Sequence, residues 1–118
     1  MGRRSRRRGA EPLAAPETPY ADAEGSVLVL RGAMTPATRA QYAKVRSGGL
    51  SQEDAWQRSV EFLFERLAVR WEIAGTDPIE RQRDLLARYR FAGADERAWI
   101  RETLRSHLAA NFPDLEAP

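Results

Sequence analysis

A mostly α fold is predicted: a compact four-helix domain with one short N-terminal β-strand or hairpin, preceded by a disordered Arg-rich arm. Three observations lead there. The chain has 118 residues, the length of one domain. Helix-start signals recur at Thr35-Pro36, Ser51, Asp77-Pro78 and Asp95, each followed by apolar residues at helical spacing. The breaks between these stretches run to about three or four residues, which packs successive helices as antiparallel neighbours.

Residues 1–22 combine Arg3, Arg4, Arg6, Arg7 and Arg8 with Pro12, Pro16 and Pro19 and show no apolar period. They read as a disordered basic arm, because they bury too little surface to offset roughly 1–2 kcal/mol of backbone entropy per ordered residue. Residues 23–118 are left as a single, mostly helical domain. Val27-Leu28-Val29-Leu30, bounded by Gly25 and Gly32, is too short for a helix and half β-branched, which makes it a strand. Tyr20-Ala21-Asp22-Ala23 can fold back over Glu24-Gly25 as a weak hairpin, which is marginal unless its face is covered.

Thr35 as N-cap and Pro36 in the first turn open a helix over residues 36–46, and Gly48-Gly49 closes it. Ser51, with Glu53 and Asp54 in the first turn, opens the longest element. Trp56, Val60, Leu63, Leu67 and Trp71 lie on one stripe of it, while Phe62, Phe64, Val69 and Ile73 make its second half apolar on more than one side. Residues 67–73 also alternate with period two, so a strand pairing with residues 26–31 competes with the preferred helix. Asp77-Pro78 starts a third helix that runs to about residue 90. Asp95-Glu96 starts the last, in which Trp99, Ile100, Leu104, His107, Leu108 and Phe112 recur on one side.

The net charge of +2 suggests a nucleic-acid binder until the charges are located. Five basic residues lie in the first eight positions, and residues 11–118 hold the other 14 against all 17 acidic ones, so the body is mildly acidic. The arm residues Arg3, Arg4, Arg6, Arg7 and Arg8 are candidate nucleic-acid contacts and carry the alternative reading, a small nucleic-acid-associated regulator, but without interleaved aromatics they lack stacking platforms. With no cysteine and one histidine there is neither a thiol nucleophile nor a metal-ligand set, and His107 lies beside Leu108 on an amphipathic helix as a boundary residue rather than a catalytic base. The acidic pairs Glu53-Asp54 and Asp95-Glu96 fall at helix starts, where anions satisfy free N–H groups. No enzyme and no cofactor are expected. No apolar run reaches membrane-spanning or signal-peptide length, so a soluble cytoplasmic protein is expected, with no membrane partner.

What the residues leave is apolar surface without an evident neighbour: the strand at 26–31 and the two-sided end of the long helix. An interaction protein follows, binding a partner or a second copy of itself through Val27, Val29, Leu30, Phe62, Val69, Trp71 and Ile73. The order of features carries a resemblance as well. A strand ending Leu30-Arg31-Gly32, Met34-Thr35-Pro36 opening a helix, Trp56, then Phe62-Leu63-Phe64-Glu65-Arg66-Leu67 running into Val69-Arg70-Trp71 and a Gly-containing break resembles the small tail assembly chaperones of tailed phages and prophages. The resemblance spans about residues 26–90. It implies a non-catalytic cytoplasmic protein that binds the tape-measure protein, and tail-tube subunits, during tail assembly.

Overall fold

The apolar run after Gly25 forms the strand Val27–Arg31 (β2), and this is the middle strand of an antiparallel sheet between Glu17–Ala21 (β1) and Ala68–Glu72 (β3). The computed structural model describes residues 15–118. Among them the helices are Pro36–Ser47 (α1), Gln52–Leu67 (α2), Gln82–Arg90 (α3) and Ala94–Asn111 (α4). The architecture is a helical layer on one face of a three-stranded sheet, which corrects the expectation of a four-helix domain with a single strand or hairpin.

The correction begins at residue 68. A central strand has two rows of backbone groups to satisfy, and the period-two stretch after Leu67 supplies the second partner. Ala68 therefore leaves the helix with φ −70° and ψ 126°, and β3 pairs Val27 with Glu72, Leu28 with Trp71 and Val29 with Arg70. The register then slips, so that Leu30 faces Ala68 and Val69 is the extra residue of a bulge. The second correction is β1, which lies where the basic arm was expected. Its turn is built by Asp22, whose side chain accepts from the N–H groups of Glu24 (2.9 Å) and Ser26 (3.0 Å), and by Gly25 at φ +91°. The remainder of the expected arm, residues 1–14, lies outside the described residues.

The helix signals hold for α1 and α2: Thr35 and Ser51 each accept from the N–H three residues on, both at 3.1 Å. The third helix starts later than Asp77-Pro78 predicts. Ile79 is used instead as a one-residue bridge on the far edge of β3, exchanging N–H···O bonds of 3.0 and 2.9 Å with Trp71.

Leu28, Leu30, Ala68 and Trp71 on the inner face of the sheet meet Leu63, Phe64 and Leu67 of α2, Leu85 and Tyr89 of α3, and Ile100, Leu104 and Leu108 of α4 in one core. Phe64 sits at the junction, stacked on Tyr89 at 5.0 Å between ring centroids and edge-on to Trp71 at 5.5 Å. After α4 the chain turns at the buried Phe112 and runs back over α1. There Tyr42 donates to the Glu116 carbonyl, and Arg39 and Arg46 pair with Asp114 and Glu116.

Candidate interaction surface

Strand alternation divides β2 into two faces. Leu28 and Leu30 point into the core, whereas Val27, Val29 and Arg31 are half-buried on the opposite face. On that outer face Val27 lies between Ala21 of β1 and Glu72 of β3, and Val29 lies between Pro19 and Arg70. The result is an apolar strip of Pro19, Ala21, Val27 and Val29, bordered by Glu17 and Arg31 at one end and by Arg70 and Glu72 along one side. Arg70 is fixed there by Glu72, 2.6 Å away, and by Glu80, which reaches over from the segment before α3. Every helix contributes its core residues to the other face, so no helix among the described residues packs on the strip. An apolar centre with a charged rim is the composition of a protein interface.

The edges of the sheet are less available than its face. The Gly32 N–H donates to the Pro16 carbonyl at 2.8 Å and the Asp22 N–H to the Ser26 carbonyl at 2.9 Å. By antiparallel alternation Thr18 and Tyr20 then bond to β2, and Glu17, Pro19 and Ala21 direct their backbone groups outward. Proline at the middle of that row has no N–H to offer, which blunts the edge against strand addition. On the other side Ile79 occupies the outward groups of Trp71. The expectation that the strand at 26–31 lacks a neighbour is therefore corrected: β2 is paired on both sides, and what it presents is a face.

The candidate residues separate accordingly. Val27 and Val29 are brought together on the strip, with half-buried Val69 in the neighbouring bulge. Leu30 and Trp71 are 0% and 1% exposed and belong to the core. Phe62 lies elsewhere, between α1 and α2, beside Tyr42 and beneath the Arg66 guanidinium at 4.8 Å. Ile73 follows β3 and packs on the core margin. Arg3, Arg4, Arg6, Arg7 and Arg8 lie outside the described residues. Sequence reasoning missed Pro19, Ala21 and Arg70, whose membership follows only from the register.

His107 is not a boundary residue: it is fully buried beneath β1. A separate hollow between α2 and α4 is floored by Trp56 and Tyr89, on which Arg101 and Arg97 stack at 4.5 and 4.9 Å. Those guanidinium groups already donate to carbonyl oxygens, Arg97 to Arg90 and Ala92 and Arg101 to Pro118. Among the described residues no cluster of three or more His, Asp or Glu is placed to hold a metal, and no helix is long and apolar enough to cross a membrane. Compared with protein-family models, curated proteins and solved structures, the chain matches none.

Proposed function

We propose that this chain is a non-catalytic protein-binding module whose partner covers the outer face of the sheet. The observation that carries the proposal is the strip of Pro19, Ala21, Val27 and Val29, on which no helix among the described residues packs, with the Arg70–Glu72 pair at its rim. Its specific form is the one the family resemblance implies, a tail assembly chaperone acting on the tape-measure protein. A long helical chain suits such a strip, because a helix about 10 Å wide spans two strands spaced about 4.8 Å apart.

The test is to mix the full chain with the tape-measure protein of the phage or prophage that carries it, and to follow complex formation by light scattering on a sizing column. A stable complex is expected from the wild type. Val29→Glu places a charge at the centre of the strip and should abolish the complex while leaving the far-UV circular dichroism unchanged. A Val29→Glu protein that binds as the wild type does would overturn the assigned surface, and no complex with the wild type would overturn the chaperone assignment.

A further inference from the structure

His107 stands on α4 where β1, β2 and α4 meet, with none of its surface exposed. Its Nε2 lies 2.8 Å from the Arg31 carbonyl oxygen, which can only accept, so Nε2 carries the hydrogen of the neutral ring. Nδ1 is then the acceptor. It receives the Tyr20 hydroxyl of β1 at 2.7 Å and an N–H of the Asn111 amide at 3.2 Å. The amide is held in that orientation by its second bond, to the His107 carbonyl at 3.1 Å. The Tyr20 ring also meets the imidazole edge-on, with 5.5 Å between centroids. One neutral imidazole thus ties β1 and the end of β2 to α4.

Protonating Nδ1 would set N–H against the N–H of Asn111 and would bury a positive charge. Among the described residues no carboxylate is at hand to compensate it. From β1 the facing group is the neutral Tyr20 hydroxyl, and Glu17 lies on the outer face of the sheet. From β2 it is the Arg31 carbonyl, with the Arg31 side chain on that same outer face. From α4 and the segment after it come Asn111 and the Phe112 ring, whose other neighbour, Arg39, is paired with Asp114.

We propose that His107 is an acid-released latch on β1: the neutral ring holds the strand against α4, and protonation undocks it while the helical core stays folded. Burial holds the folded-state pKa below the ordinary 6.5, which gives the same sign. The docked state takes up its proton only at lower pH than the open state. The latch is therefore at full strength above about pH 6.5 and weakens as pH falls, with the opening constant rising by up to about tenfold per pH unit.

Hydrogen exchange on the full chain between pH 7.5 and 5.5, corrected for the intrinsic pH dependence of exchange, tests this. The Thr18 and Tyr20 amides should lose protection on acidification while amides of the α2 interior keep theirs. Asn111→Asp supplies a carboxylate to the imidazolium and should keep β1 protected at pH 5.5. Tyr20→Phe removes the strongest donor to Nδ1 and should raise β1 exchange already at pH 7.5. Unchanged β1 protection in the wild type, loss of β1 and α2 protection together, or an Asn111→Asp protein that opens as the wild type does would each overturn the latch.

Discussion

Replacing Phe64 with leucine examines the junction on which the mixed architecture depends. The ring is wholly buried on α2, stacked against Tyr89 of α3 and edge-on to Trp71 of β3, so it joins its own helix to the strand that follows directly and to a helix further along the chain. Each aromatic pair contributes about 0.5–1.5 kcal/mol beyond the area it buries, so two pairs amount to about 1–3 kcal/mol. Leucine fills part of the space, and the volume left open adds about 1 kcal/mol. The expected loss is about 2–4 kcal/mol, which for a domain of about 100 residues lowers Tm by roughly 10–30 °C. Urea unfolding followed by circular dichroism measures it, and a cycle with Tyr89→Leu isolates the stacked pair. Coupling of about 0.5–1.5 kcal/mol is expected. A coupling indistinguishable from zero would refute the stacked geometry, and a total loss below about 1 kcal/mol would refute the placement of Phe64 at the junction.

Other perturbations bear on single features. Ser51→Ala removes the acceptor for the Asp54 N–H and should cost about 1 kcal/mol in chemical denaturation. Gly49→Ala would set a methyl group 2.6 Å from the Ala55 nitrogen and 2.8 Å from its Cα, so it should lower Tm clearly, whereas Gly93→Ser meets open space at an uncapped helix start and should raise stability by a few tenths of a kcal/mol. Pro19→Thr restores an outward N–H to the β1 edge, and analytical ultracentrifugation should show greater self-association than in the wild type. Burial pushes the Tyr42 hydroxyl up to about 12, with Glu116 adding to the rise and Arg46 opposing it. The folded state therefore keeps that proton longer than the unfolded state, so the contribution is complete below pH 10 and is lost as pH rises towards 12. It amounts to about 2–3 kcal/mol, and Tyr42→Phe should flatten that part of the alkaline unfolding curve.

Much of the helical layer is legible in the sequence because helix ends carry local chemistry. Thr35-Pro36 and Ser51 act through contacts within three residues, and so they report the same structure in isolation as in the fold. The sheet is different. Residues 67–73 satisfy a helical stripe, the preferred local reading, as well as a period-two strand, and the choice is made by β2, whose second row of backbone groups lies far away in sequence. Pro19 argues against a strand wherever it would sit in a sheet interior, and is harmless here because it occupies the outward row of an edge. The candidate surface was half legible for a related reason. Val27-Leu28-Val29-Leu30 is apolar on both faces, so alternation separates Val27 and Val29 from Leu28 and Leu30 without saying which pair meets the helices. His107 follows Ile100 and Leu104 along the buried side of α4, a spacing that fits burial, but its partners Tyr20 and Arg31 come from strands that no local pattern connects to it.

The position of β2 also bears on the order of events as the chain folds. The β1–β2 hairpin closes a turn of a few residues, whereas β2 meets β3 only after the whole α1–α2 segment has been brought around. Local contacts form faster than distant ones, so the α1–α2 hairpin is expected to precede the β2–β3 ladder, with Ala68–Glu72 delivered by α2 as it packs. Until that docking, Val27–Arg31 has one unpaired side and both apolar faces in water, and a newly made chain is at its most aggregation-prone during that interval.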